Sequence, residues 1–291
     1  MLFCPEGNVK VISQIKKDLD FNRSLFSLVE VLKSVAVSHY RMLEKLIKSE
    51  EQFYVVLRQF FEFAYFRTME HPFLSGTPAP AGIVAITSDM GLLGGLNLKV
   101  MAAAFEAAQK GPSRLMVIGE KGHALAREGG FSFIAFPGVK DEERYGQSLA
   151  IRDFVMEQLA TGKIGSLAVF YPEPVSFLVQ RVKKMVMVPF DIPGREEPLD
   201  PMMIRETILE SKASDIIAYL ISLWLGQALY EILGFSRLAE LSARFLHLEG
   251  SSQRIKELEK KLQLVYFRVR HELIDKSMRE IFSARSLYVA S

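Results

Sequence analysis

Apolar residues recur at steps of three and four, or their sums, along the first part of the chain: Ile12, Ile15, Leu19, Phe26, Val29, Ala36, Tyr40, Leu43 and Ile47. That spacing puts them on one face of an α-helix. The pattern returns near the other end, at Leu241, Phe245, Leu248, Ile255, Leu258, Leu262, Val265, Val269 and Leu273, with the charged run RIKELEKK set among the apolar positions. An apolar seam edged by charge suits a coiled coil. At about 1.5 Å per residue the two helices would extend roughly 60 to 95 Å, so they have to pair or dock to cover their seams. The economical expectation is that the two ends of the chain pair with each other, antiparallel.

Between them the pattern alternates. GIVAITS, NLKVMAAAFEAAQKG, SRLMVIGEKGHALAREGG, FSFIAFPG, SLAIRDFVMEQLATGKIG, SLAVFYPEP and VSFLVQRVKKMVMVPFD read as strands separated by helices. Helical stretches of about 10 to 15 residues between strands argue for a mostly parallel, Rossmann-like sheet. Proline and glycine divide the chain in the same places: neither occurs from Asn8 to His71 or from Ser251 to Ser291, and most of both lie between Pro72 and Pro201. Helices tolerate few such residues and turns require them. The expected fold class is α/β, a long antiparallel coiled coil of terminal helices plus a Rossmann-like middle domain. The expected divisions are an N-terminal helix over 8–71, the α/β domain over 72–201, and a C-terminal helical segment over 202–291. IIAYLISLWLGQALY, Ile216 to Tyr230, is uncharged, yet a membrane span needs about 20 apolar residues. It reads as a buried helix, with Trp224 in a core.

The stretch ITSDMGLLGGLN, Ile86 to Asn97, places three glycines after the first strand of the middle domain. Gly91, Gly94 and Gly95 give GxxGG, where the dinucleotide fingerprint is GxGxxG and the phosphate loop needs a Lys followed by Ser or Thr. The glycines most simply allow a tight turn from strand to helix, with Asp89 and Asn97 making local turn or cap hydrogen bonds. VIGEKG, with Lys121 between two glycines, reads as a solvated turn. The histidines, His39, His71, His123, His247 and His271, have no second ligand at zinc-like spacing. No GxSxG, HExxH or Cys/His signature is present, so neither a catalytic residue, a metal site nor a cofactor is expected.

Charge narrows the partners. With 36 Lys and Arg against 34 Asp and Glu, the net charge of +2 offers no bulk excess for holding nucleic acid. The lone Cys4 excludes an internal disulfide, and MLFCPEGNVK has neither a basic nor an apolar leader region, so the expected compartment is a reducing cytoplasm. Arg268, Arg270 and His271 sit near the end of the C-terminal helix, where cations offset the helix dipole. A helix this long also has polar surface available to another protein.

Several of these segments resemble one family. ITSDMGLLGGLN is similar to the strand and glycine turn of the gamma subunit of F-type ATP synthases, usually ITSDRGLCGGLN. Ser242-Ala243-Arg244 opens a stretch similar to that family's C-terminal helix, through to RHELIDKSMREI. SLVEVLKSVAVSHY resembles its N-terminal ITKAMKMVAASK, and the FYPEPVSFLVQ strand pair and the REEPLDPMMIRETILESKASD linker also fit. The resemblance covers nearly the whole chain. It implies a central-stalk rotor with a coiled coil inside an alpha/beta hexamer. The middle domain would stand on the membrane ring of c subunits, beside epsilon, and catalysis would belong to beta. It further implies a peripheral protein on the cytoplasmic face of the cell inner membrane. Arg244 matches a family arginine, and Arg268, Arg270 and His271 fall where the family has Lys, Arg and Gln at the beta-subunit catch loop.

The departures are Leu93 for Cys, Leu32 and Ser34 for the two methionines, Glu30 for Lys, Asp275 for Thr at that interface, and EGSSQ for ATDNA. The last puts Gly250 inside a helix. They suggest a divergent branch, as from a second or sodium-linked ATPase operon. Two alternatives stay open: a gamma-like paralogue serving another ATPase assembly such as a secretion motor, and a nucleotide-binding enzyme built on the middle domain.

Overall fold

The computed structural model describes residues 6–47, 51–62, 71–190 and 211–289. In chain order the elements are α1 (Glu6–Leu46), α2 (Glu51–Glu62), the one-turn α3 (Pro72–Ser75), β1 (Ala81–Ile86), α4 (Leu96–Ala108), β2 (Ser113–Ile118), α5 (Glu120–Glu128), β3 (Phe133–Phe136), α6 (Arg144–Ala160), β4 (Ser166–Ser176), β5 (Val179–Val188) and α7 (Ala213–Val289). Packing separates two compact units: the described residues up to Val35 with those from His247, and Ala36–Leu246.

The first unit is the antiparallel pair made by α1 and the later part of α7. Phe26 and Val29 pack on Leu248 and Ile255. Polar contacts set the register. The buried Asn22 amide donates to the Ile255 carbonyl at 3.0 Å, and Arg23 meets Glu259 at 3.0 Å. The Ser252 hydroxyl donates to Glu30 at 2.7 Å, and Lys33 bridges Glu30 and Glu249 at 2.8 Å each. Partner numbers fall on α7 as they rise on α1, which is the expected antiparallel sense. The Glu249 and Glu30 carboxylates hold the Lys33 ammonium above its ordinary pKa, and Lys33 holds both carboxylates below theirs. Exposed pairs contribute little to stability, so these contacts matter more for register.

The seam departs from expectation at Leu258 and Val265, which are 49% and 43% exposed. Gly250 does lie within α7, exposed, with nothing within 4 Å of where a Cβ would stand. Gly250→Ala should therefore stabilise the chain by about 0.5 to 1 kcal/mol, because alanine restricts the unfolded chain without meeting a neighbour. Urea denaturation of the full chain checks this, and an unchanged or lower midpoint would refute it.

In the second unit five strands lie in the order β3-β2-β1-β4-β5. The first four are parallel and β5 returns antiparallel to β4. Side chains alternate between faces, and both faces are covered, as a parallel sheet requires. Ile83, Ala85, Leu115 and Val117 meet Val100, Met101 and Ala104 of α4 and Ala126 of α5. On the other face Val84, Ile86, Met116 and Ile118 share a core with Ile151 and Val155 of α6 and Ile217, Ile221, Leu225 and Leu229 of α7. One described helix, α7, is long and apolar enough to cross a membrane, and 56% of its most apolar window is buried within the protein. Trp224 stands edge-on to Phe190, packed against that core.

Of the run expected as a helix over 8–71, the described residues form α1 and α2, and residues 48–50 and 63–70 lie outside the described ones. Neither proline nor glycine occurs in this run. Ile47, just past α1, seats its side chain where Gly234 has no Cβ, and Leu57 of α2 enters the sheet core. The linker segment over 195–215 falls mostly outside the described residues.

Candidate functional site

Strand order reverses at β1, with β2 on one side and β4 on the other. In open α/β sheets, ligands bind at the carboxyl ends of the strands at such a reversal. The glycine turn emerges there. Leu92 (φ 66°), Gly94 (φ 58°) and Gly95 (φ 93°) all adopt positive φ, and Gly95 is the residue from which α4 starts. Two such residues in succession just before a helix favour glycine, since a Cβ is disfavoured in this conformation. The Asn97 amide donates to the Ser88 hydroxyl at 2.8 Å and its oxygen accepts from the Ser88 N–H at 3.2 Å. The Ser88 hydroxyl donates to the Met90 carbonyl at 2.7 Å. Asp89 accepts from the Glu120 N–H at 2.9 Å, at the start of α5 where a carboxylate also suits the helix dipole. Gly91 lies beside the Lys121 side chain.

The chain's own helix closes the crevice. Leu93 and Leu96 bury against Ala239 and Ala243 of α7. The remaining void, lined by Thr87, Ser88, Asn97, Ser236 and Glu240 among others, is about 10 Å³. Ligand sites run to roughly 300 to 1,000 Å³. The first amides of α5 are spent internally as well: Lys121 N–H on the Ser88 carbonyl at 3.0 Å and Gly122 N–H on the Thr87 hydroxyl at 3.0 Å. An open groove of about 450 Å³ does exist, but it lies over the beginnings of β1 and β4, at the opposite end from the glycine turn. A second groove, of about 340 Å³, lies beside the turn, lined by Asp89, Met90, Lys140, Asp141, Glu142, Glu143, Arg237 and Glu240. Its carboxylates outnumber its cations, and Arg237 is already paired with Asp141 and Glu240, so it ill suits an anionic phosphate.

Beside the turn, Arg237 of α7 reaches Asp141 at 3.2 Å and Glu240 at 2.8 Å, while Arg244 meets Glu240 at 2.6 Å. The Glu240 side chain is only 9% exposed. Arg244 is thus held inside the α/β unit by a carboxylate one turn away. Arg268, Arg270, His271 and Asp275 belong to the other unit and are all exposed. Among the described residues, no ion pair or hydrogen bond engages the side chains of Arg268, Arg270 or His271, and the Asp275 carbonyl accepts from Arg279 at 3.3 Å. At 100° per residue, Arg268, His271 and Asp275 share one face and Arg270 projects from another. The patch expected from adjacent numbers is therefore divided. Asp141, Arg237 and Glu240 were not singled out in the sequence. The spacing of Arg237, Glu240 and Arg244 carries a signal for helix pairs, whereas nothing local marks Asp141 as their partner.

The class the fold defines is an α/β sheet whose crevice is filled by its own helix, in a chain whose first and last long helices also pair. The family model of ATP synthase matches residues 12–286. The ATP synthase gamma chain of Pelotomaculum thermopropionicum is 27% identical over 217 residues, 73% of this chain and 75% of that one. That of Desulforamulus reducens is 24% identical over 264 residues, 89% and 92% of the two chains. Among solved structures, a chain of the Euglena gracilis mitochondrial ATP synthase (OSCP/F1/c-ring, rotational state 3) superposes with a TM-score of 0.67 at 15% identity, covering 97% of this chain and 95% of that one. A chain of the rotor of the same enzyme in rotational state 1 gives 0.64 at 17% identity, covering 91% and 99%. The chain belongs to the ATP synthase gamma family.

Proposed function

We propose that this chain is the central-stalk rotor subunit that couples ion-driven rotation of a c-ring to conformational change in the catalytic beta subunits. Its partners in this reading are an alpha/beta hexamer, an epsilon subunit and the c-ring, and it works as a peripheral protein on the cytoplasmic face of the cell inner membrane. The observation that carries the reading is the surface of the helix-pair unit. Phe21 and Leu264 are each 69% exposed and Phe282 is 64% exposed, on helices whose charged residues also face outward. Large apolar side chains left exposed along paired helices suit contact with another protein. A surface that mixes them with charge suits a sleeve that holds the helices without gripping one orientation.

Within this reading Arg268, His271 and Asp275 form the face toward beta, with Arg270 on an adjoining contact, and Arg244 acts through Glu240 rather than by direct contact. The test uses the purified alpha/beta complex assembled with this chain. Replacing Arg268 and His271 with Ala is expected to lower ATP turnover about tenfold, the scale of one lost charge-assisted hydrogen bond of about 1.5 kcal/mol. Exposed residues contribute little to folding, so the melting temperature of the free chain should scarcely move. A double variant that assembles and turns over like the parent would remove these residues from the interface, and failure of the parent chain to assemble at all would overturn the rotor reading.

A further inference from the structure

We propose that Phe177, at the tip of the β4–β5 hairpin, is a positioning residue that braces α1 against α7 and sets the torsional stiffness of the rotor; this rests on the rotor reading above. The hairpin outreaches its sheet. β1 pairs with β4 only as far as Phe170, and from Tyr171 to Ser176 the pairing of β4 is with β5 alone. At about 3.3 Å per residue that is an arm of roughly 20 Å, and a two-stranded ribbon is marginal in water unless it packs on something.

Two features make the arm stiff and attached. Across its strands, Glu173 meets Arg181 and Lys183, each at 2.6 Å. At its tip, the Phe177 ring stands edge-on to Tyr40 of α1, with centroids 4.8 Å apart, and tilted against Phe245 of α7, at 4.9 Å. Tyr40 is buried, and Phe177 joins it in a cluster with Leu43, Leu238 and Leu241. One ring therefore touches both helices at once. Ring pairs of this geometry contribute beyond the area they cover and have preferred orientations.

The opposite side of α7 is held too. Ala239 and Ala243 face the glycine turn through Leu93 and Leu96. By helical periodicity they lie roughly half a turn around the helix from Phe245. Between Arg237 and Phe245, α7 is gripped on two sides, by the glycine turn and by the hairpin tip, and the hairpin alone includes α1 in its grip. The early turns of α7 are already anchored in the sheet core. What Phe177 adds is resistance to twisting of α1 about α7.

The experiment uses the assembled complex, with its alpha/beta hexamer immobilised and a bead attached to the α/β unit, alongside the same complex in sealed vesicles with its membrane sector. In the stalled state, Phe177→Ala should at least double the variance of the bead's angular fluctuation and reduce ions pumped per ATP against a gradient by about twofold, with unloaded hydrolysis unchanged. Phe177→Tyr should restore both quantities, and Phe177→Leu should fall between. A merely structural role would lower assembly yield and melting temperature while leaving fluctuation and pumping ratio of the assembled complexes at parental values, and that result overturns the proposal. Should Phe177→Ala fail to assemble, the Phe177→Leu complex decides by the same readouts. Parent chain that never joins the hexamer would defeat the rotor reading itself, an outcome distinct from parental stiffness in an assembled variant.

Discussion

Glu240→Ala is expected to destabilise the full chain by about 3 to 5 kcal/mol, the cost of leaving a largely buried cation without its partner. The carboxylate is the shared acceptor for Arg237 at 2.8 Å and Arg244 at 2.6 Å, and the Arg244 side chain is itself mostly buried. Arg237 keeps Asp141, which places the expected loss toward the lower end. Combining Glu240→Leu with Arg244→Met should recover most of the stability, since apolar residues of similar volume need no partner. Urea denaturation of the single and double variants decides the matter. If Glu240→Ala costs less than about 1 kcal/mol, the ion pairs are surface pairs in energetic terms. Arg244 would then be free to meet another subunit directly.

Leu229→Ala should cost about 2 to 5 kcal/mol, the usual range for emptying a closely packed aliphatic site. Leu229 is fully buried among Ile217, Ile221, Leu225 and the side chains of the sheet. Tyr219, on the same helix, is 64% exposed, and its replacement by Ala should stay within about 0.5 kcal/mol. The contrast separates a core helix, sensitive on one face, from a membrane helix, whose apolar residues in water-soluble protein would be exposed on every side. Equal, small effects at both positions would mean that this stretch does not pack on the sheet.

What the sequence carries most directly is local. A 3.6-residue period in Ile15, Leu19, Val29, Tyr40 and Leu43 marks a helix and the side it buries, because a helix is built from contacts three and four residues apart. Glycine after a strand marks a sharp turn because only nearby atoms forbid positive φ to other residues. The same rule places Arg270 away from Arg268 and His271, though their adjacent numbers group them.

Other features depended on the partner across space. Nothing local marks what Ile47 will meet; its side chain lies against the bare backbone of Gly234, far along the chain. The glycine turn could have opened onto a ligand or onto protein, and Leu93 and Leu96 carry no mark of which, since Ala239 and Ala243 that fill the crevice lie far along the chain. Arg244 could likewise point outward or be held; the burial of Glu240 beside Arg237 and Asp141 decided it. Periodicity and turn chemistry act within a few residues, so the chain spells them out directly, whereas which face meets which, and which charge is spent inside, follows from how all the elements pack at once.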